Sequence, residues 1–406
     1  MDVKEIYDAK ERLKGHIKET PVVYAPNLGE DVYLKVEVLQ DTGSFKLRGA
    51  YNKIATLTDE EAEKGVVACS AGNHAQGVAK SATERGIRSI ICMPYHAPLS
   101  KVQATRNYGA EVELVKDSFD DAAAYAAKLS KEEGFTFIAP FDDEKVIAGQ
   151  GTIGLEILEK LPDTDIIVVP IGGGGLISGI ALAAKSINPN IKIIGVQTKI
   201  SPSMYESIKE GKILTVKGGS TIADGIAVKT PGKLTFDIVK EYVDEIVLVT
   251  EGEISSAILT LLEKNKIITE GAAASTVAAL MYKKFNHKGK KVCCVLSGGN
   301  IDVTRVSKVI EKGLYKTNRR MELKIKLNDQ PGEMTRMTKL LEREGANIVK
   351  IGQNIDVVGD TIDAMIVNLV IDTKDKAHQE QIITALNQDF YVFKANYNGS
   401  IISVGE

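Results

Sequence analysis

The stretch Ile166–Ala184, IIVVPIGGGGLISGIALAA, carries the reading of the fold. Nineteen residues without a charge are long enough to cross a membrane. Pro170 and the four successive glycines Gly172–Gly175 interrupt the run, however. The pattern predicts a buried strand, a tight glycine loop and a buried helix. A loop of that kind presents backbone N–H groups to an anion, with the helix dipole behind them. Two nucleotide-binding patterns fail here. No Gly-Lys-Ser/Thr follows the glycines, and no register yields GxGxxG, while Gln197 stands where an acid would end the next strand. A phosphate cradle of another kind is expected; the plainer alternative, a tight strand–helix turn, seldom needs four glycines.

On either side of this stretch, short apolar runs alternate with helical patterns, as in a parallel α/β sheet. Strands are predicted at Val32–Val36, Gly65–Ala68, Ile87–Met93, Glu111–Val115, Ile166–Pro170, Lys192–Val196, Glu245–Val249 and Lys291–Leu296. Amphipathic stretches such as Ala122–Glu133 and Ile254–Asn265 lie between them. At LYKTNRR, Leu314–Arg320, the pattern turns basic and polar. MELKIKL then alternates as a half-buried strand does. The turn Asn328–Gly332, a helix with Met334, Met337, Leu340 and Leu341 on one face, strands Asn347–Ile355 and Thr361–Ile371, a helix Lys376–Asn387 and a strand Phe390–Ala395 follow. That is βαββαβ, a ferredoxin-like order. The expected organisation is a first region 1–315, a connector 316–320 and a second domain 321–406.

Composition narrows the function. The chain has 406 residues, 44% hydrophobic and 26% charged, which are ordinary globular values. The 51 basic residues nearly balance the 54 acidic ones, so neither nucleic acid nor an anionic membrane is indicated as a partner. The four cysteines form no CxxC, so no metal site is expected. The charged N-terminus lacks an apolar core for a signal peptide, which gives a cytoplasmic expectation.

Three further segments carry chemistry. In QDTGSFKLRGA, Gln40–Ala50, Lys46 follows Ser44 and Phe45; a Schiff-base lysine needs such desolvation, though alone the segment reads first as a solvated surface lysine. SAGNHAQGVA, Ser70–Ala79, puts amides at a helix N-terminus suited to a carboxylate; alone it reads first as a helix capped by Asn73. VCCVLSGGNID places Ser297 at a strand end beside two glycines, where a hydroxyl meets a heteroaromatic nitrogen or merely opens a turn. No Ser/His/Asp triad is recognisable, and His16, His96, His287 and His378 share no motif.

Taken together and in this order, these segments resemble the fold-type II pyridoxal-phosphate enzymes, and within them the threonine/serine dehydratases (ammonia-lyases). MPYHAPLSK (Met93–Lys101) and AGQGT (Ala148–Thr152) add to the likeness. The tail resembles a single ACT regulatory domain. The resemblance implies a tryptophan synthase β-like catalytic region of two parallel-sheet subdomains, the smaller inserted at about 48–148, with pyridoxal 5'-phosphate as cofactor. It implies that Lys46 holds the cofactor as an aldimine, with Phe45 near the ring and Asn73 on its 3-hydroxyl. Gly172, Gly173, Gly174, Gly175 and Leu176 would take the phosphate, Ser297 the pyridine nitrogen, and Ser70, Ala71, Gly72, Asn73 and His74 the substrate carboxylate. The implied reaction turns L-threonine into 2-oxobutanoate and ammonia, with L-serine as a secondary substrate. A serine-preferring dehydratase or racemase, and an amino-acid sensor with little activity, are the competing readings.

Departures from the family matter as well. Racemases carry a serine where Ala71 stands, so racemisation should be weak. Their divalent site aligns with Gln197 and Ser203, neither of them an acid. EGAAAS, Glu270–Ser275, only approximates the usual glutamate-led motif, which leaves Glu270 outside the expected site. An amino-acid effector is expected where the turn bearing Asp329 and Gly332 meets Asn347, across a subunit contact in a homodimer or homotetramer.

Overall fold

The computed structural model describes residues 1–116, 118–354, 364–395 and 401–403. The chain divides into two compact units, Met1–Val306 and Ser307–Glu406. The helix Val303–Lys316 runs through that division, and Arg320 already opens a strand. The polar run at 316–320, expected as a connector, is thus a helix end, a turn and a strand start. Its Thr317 hydroxyl bonds back to the Gly313 carbonyl, so polarity here marks a capped helix end rather than a free linker.

In the first unit the chain starts one sheet, leaves it to build another, and returns. Strands β1 (Val22–Tyr24) and β2 (Val32–Val36) come first; β3 (Val66–Cys69), β4 (Ser89–Pro94), β5 (Glu111–Val115) and β6 (Thr136–Phe137) make a separate four-stranded parallel sheet in the order β5-β4-β3-β6. The chain then adds β7 (Ile166–Pro170), β8 (Lys192–Thr198), β9 (Glu245–Val249) and β10 (Val292–Leu296) to the first sheet, ordered β1-β2-β10-β7-β8-β9. Only β1 runs antiparallel there. All five residues of β7 and of β10 are buried, as continuous apolar runs require in a sheet covered on both faces. The helix Gly175–Ile187 packs Ile177, Ile180 and Ala184 against Ile167, Val169 and Ile193 of that sheet.

Short β1 and β6 were not expected from sequence; three and two residues are too few to show a period. Ser70–Asn73, Gly172–Gly175 and Ser297–Asn300 all follow the carboxyl ends of parallel strands, where open α/β sheets hold their ligands.

The second unit is an antiparallel sheet with helices on one face. Strand β11 (Arg320–Asn328) lies between β13 (Ala364–Asp372) and β14 (Tyr391–Ala395), β12 (Asn347–Asn354) flanks β13, and β15 (Ile401–Ser403) extends the other edge. Burial alternates along β11 and β13, and Met337, Leu340, Leu341, Ile382 and Leu386 from helices Glu333–Arg343 and Lys376–Asn387 cover the apolar face. The order is βαββαβ with one strand added. Position 355 of the expected strand Asn347–Ile355, positions 361–363 of Thr361–Ile371, and 396–400 and 404–406 of the expected domain lie outside the described residues. Among the described residues no helix is long and apolar enough to cross a membrane.

Candidate active site

A cavity of about 850 Å³ opens between the two sheets of the first unit, and the expected catalytic, cofactor and carboxylate residues all line it: Phe45, Lys46, Ser70–His74, Gly172–Leu176 and Ser297. The backbone explains how they meet. Phe45 N–H donates to the Ser297 carbonyl at 3.0 Å, Gly299 N–H to Gly43 at 2.9 Å, and Ser44 bridges Gly298. The lysine segment and the serine loop are therefore one short ladder.

Lys46 opens the helix Lys46–Ala55 and is half-buried. Its Nζ donates to the Pro140 carbonyl at 2.5 Å and lies 5.3 Å from the Phe45 ring centroid. Burial pulls the amine down to about 8, against the opposing charge of Glu270. A lysine in that state is in part a neutral amine near physiological pH, as a nucleophile or proton acceptor must be.

The glycine loop meets two demands. Gly174 has φ +101°, so the chain can turn into the helix Gly175–Ile187. A Cβ on Gly173 would lie 2.4 Å from the Phe141 ring, so the loop sits directly on that side chain. Among the described residues, the amides of Gly172 through Leu176 donate to no protein group. Unpaired amides lining a cavity at a helix N-terminus are a site for an anion. Ala71, Asn73 and His74 likewise keep unpaired amides at the start of the helix Asn73–Glu84.

The Asn73 side chain does not cap its helix; Gly72 is the cap residue. Its Nδ2 donates to both oxygens of Glu270, at 2.9 and 3.0 Å, and its Oδ1 accepts from Asn300 Nδ2 at 2.8 Å. Glu270 is 5% exposed. Burial, aided by Asp224, raises its carboxyl to about 7 although Asn73, Lys101 and Lys46 oppose the shift. Glu270 is the residue that sequence reasoning set aside. Only the fold shows why it matters: Gly298 in SGGN leaves the space that a Cβ would take only 2.7 Å from Glu270 Oε1.

The His74 side chain is taken up by the protein. Its ring is 3% exposed, Nε2 sits 2.8 Å from the Ile138 carbonyl, and burial beside Lys46 drives it down to about 3. Only its backbone amide is open to a carboxylate. Gln197 and Ser203 are committed to the protein: Gln197 donates to Ile171 and accepts from Tyr205 N–H, and Ser203 donates to Val228. Asp329, Gly332 and Asn347 are exposed in the second unit. They do not meet within one chain, because Asn328 pairs with Ala364 and Asn347 with Asp372, the two ends of β13. A site using both segments takes them from two copies.

A half-buried lysine of lowered pKa, an anion cradle and a hydroxyl at a strand end suit a phosphorylated aldehyde with a ring nitrogen. Residues 13–298 match the family model of pyridoxal-phosphate dependent enzymes. The chain belongs to that family. This pyridoxal-phosphate enzyme is 49% identical to an L-threonine ammonia-lyase of Thermotoga maritima over 94% of its own length and 96% of the relative's. It is 50% identical to the catabolic L-threonine dehydratase of Escherichia coli K12, over 76% of its own length and 95% of that protein. In three dimensions it resembles maize serine racemase, with a TM-score of 0.73 and 37% identity over 77% of this chain and 98% of that one. The fold of the first unit is therefore fold-type II and its cofactor is pyridoxal 5'-phosphate, which the cavity's own residues fit.

Proposed function

We propose that this enzyme is an L-threonine ammonia-lyase that deaminates L-threonine to 2-oxobutanoate, acts secondarily on L-serine, and is regulated by an amino acid bound to its C-terminal unit. The observation that carries the reading is the convergence of Lys46, Asn73, Ser297 and five unpaired amides on one cavity. The near-full-length likeness to an L-threonine ammonia-lyase supports the choice of substrate.

Pyridoxal phosphate, when bound, supplies the sink for the electron pair left on the substrate Cα. The protein does the rest. The amides of Gly172–Leu176 would hold the phosphate, Phe45 would pack beside the ring and Asn73 would meet its 3-hydroxyl. The amides of Ala71, Asn73 and His74 orient the substrate carboxylate. Lys46, kept in part neutral by burial, takes the Cα proton. Ser297 presents a neutral hydroxyl to the ring nitrogen, and a neutral partner favours loss of the β-hydroxyl over transamination. Ala71 offers no hydroxyl to protonate the opposite face of Cα, which disfavours racemisation even though the fold resembles a serine racemase.

The C-terminal unit is read as an ACT domain. Its βαββαβ order supports this, as does the Thermotoga relative, whose match reaches well beyond the first unit where the Escherichia coli match does not. Asp329, Gly332 and Asn347 are assigned to the effector, contributed by two copies in a homodimer or homotetramer. The test has two arms. Borohydride reduction and peptide mapping should locate the cofactor on Lys46, and initial rates should favour threonine over serine and respond to branched-chain amino acids. Cofactor on another lysine, serine preferred, or no cofactor bound would each overturn the corresponding part. A form ending near Leu314 that still responds would move regulation into the catalytic unit.

A further inference from the structure

Two residues beyond Lys46, on the same helix, a second set of charges lies outside the cavity. Arg48, Lys35 and Glu37 are fully buried and Glu156 is 5% exposed. Arg48 Nε and Nη2 donate to the two oxygens of Glu37, both at 2.8 Å. Nη1 and Nη2 reach Glu156 at 2.5 and 2.9 Å, and Nη1 also reaches the Thr152 hydroxyl at 3.1 Å. Lys35 Nζ donates to Glu156 at 2.5 Å and to the Thr20 carbonyl at 2.6 Å. The set has two positive and two negative members.

We propose that this cluster is the positioning device for Lys46: it fixes the axial place and rotation of the lysine helix, and so the point where the Lys46 amine enters the cavity. The inference rests on the role given to Lys46 above and adds the residues that aim it. A buried ion network is not needed for stability, since apolar residues of similar volume serve as well. Its directional bonds are what apolar packing cannot supply. The cluster joins three segments: β2 and the turn after it through Lys35 and Glu37, the lysine helix through Arg48, and the helix Glu144–Lys160 through Thr152 and Glu156.

The neighbouring contacts point the same way. The lysine helix and Glu144–Lys160 touch backbone to backbone: a Cβ on Gly149 would lie 2.6 Å from the Arg48 carbonyl, and one on Gly49 would lie 2.7 Å from the Val146 carbonyl. Gln150, which lines the cavity, accepts from Gly49 N–H at 3.2 Å. Lys46 itself holds one hydrogen bond, to Pro140. Its reach is therefore set by its helix, and the AGQGT segment is the partner that sets the helix.

Arg48→Lys keeps the charge and loses the planar fork, which one ammonium cannot replace. In the apoenzyme, the condensation of Lys46 with added pyridoxal phosphate, trapped with borohydride and located by peptide mass spectrometry, should slow by about tenfold to a hundredfold. The pH midpoint for labelling Lys46 with an amine reagent should move, and kcat for threonine should fall while KM holds. An Arg48→Lys protein that melts earlier but keeps both Lys46 readouts overturns the proposal. If Arg48→Lys does not fold, Thr152→Val, which removes only the hydroxyl facing Nη1, should shift both readouts in the same direction; unchanged readouts there overturn it equally. Trapping on a different lysine in the unsubstituted enzyme would instead sink the assignment of Lys46, and this proposal with it.

Discussion

Two groups of buried charge meet the lysine helix, and the protein treats them in opposite ways. Around Arg48 every charge has its partner. Burial alone would depress the guanidinium and raise the Glu37 carboxyl; instead Glu37 and Glu156 push Arg48 further up, and Arg48 holds Glu37 below the usual carboxylate range. Around Lys46 the balance tips the other way. Burial outweighs the neighbours, so the amine falls to about 8 and Glu270 rises to about 7. The cluster keeps its charges fixed, whereas the cavity holds groups close to changing theirs. Perturbation toward neutrality at ordinary pH is what acid–base chemistry requires.

The widest separation should come from removing Lys46. Lys46→Ala should lower turnover by about 10⁴-fold or more, because both attachment of the cofactor and removal of the Cα proton depend on the amine. The melting temperature of the apoenzyme should not fall, since a desolvated cation without a carboxylate partner is lost. Steady-state rates and a thermal melt check both halves. Turnover within tenfold of the unsubstituted enzyme would assign the chemistry elsewhere.

Glu37→Gln tests the other side. It leaves Arg48 and Lys35 sharing one carboxylate, and breaking a buried pair in this way costs about 3–5 kcal/mol. Denaturant titration of the apoenzyme should show a loss of that size. A loss below about 1 kcal/mol, the range of exposed pairs, would mean that the cluster is hydrated and the contrast with the cavity is false.

Much of this was legible in the sequence, and the reasons differ by residue. The fully buried strands β7 and β10 and the glycine cradle announce themselves through uninterrupted apolar runs ending in Gly172–Gly175 and Ser297–Asn300. Lys46, Asn73 and Ser297 were individually ambiguous; only their order along the chain, matched to a family, made them a site. Glu270 was hidden because its importance lies in burial and in Asn73, which stands 197 positions away. The Arg48 cluster was hidden for the same reason: nothing local to Glu37 or Glu156 shows that the fold brings them together. For His74 the sequence pointed to the backbone amide, and nothing local shows that its ring turns to Ile138. That the effector segments need two copies to meet was not decided by the sequence, because antiparallel register, which sequence alone leaves open, sets Asn328 and Asn347 at opposite ends of β13.

Glu270 offers the next test. A carboxyl whose folded pKa is raised binds a proton more tightly folded than unfolded. Its contribution to stability is complete below the unfolded value near 4.5 and is lost as pH rises through about 7. At about 1.4 kcal/mol per unit, the loss across that window is about 3 kcal/mol. Glu270→Gln should abolish this part of the pH dependence, so that the variant apoenzyme matches the parent at low pH and exceeds it above pH 7. Denaturant titrations at several pH values check it. Parallel curves for the two proteins would show that the carboxylate is already ionised and solvated, and the cavity would then be no different from the cluster.

The smallest change is the sharpest probe of the satisfied side. Arg48 has five N–H donors, and each has an acceptor: two on Glu37, two on Glu156 and the last on Thr152. Thr152→Val keeps the shape of the side chain and removes that one acceptor, leaving a buried N–H unpaired beside an otherwise intact network. Thr152 also donates to the Gly149 carbonyl within its own helix at 2.7 Å, a bond that the helix can spare. The expected loss is about 1–2 kcal/mol, smaller than for Glu37→Gln because no charge is left without a partner. It should be the same at pH 5 and pH 8, since Arg48 is held above and Glu37 below its ordinary value by their pairing. A loss that grows between those two pH values would show a member of the cluster changing protonation, and the division between fixed and mobile charge along the lysine helix would fail at its better-packed end.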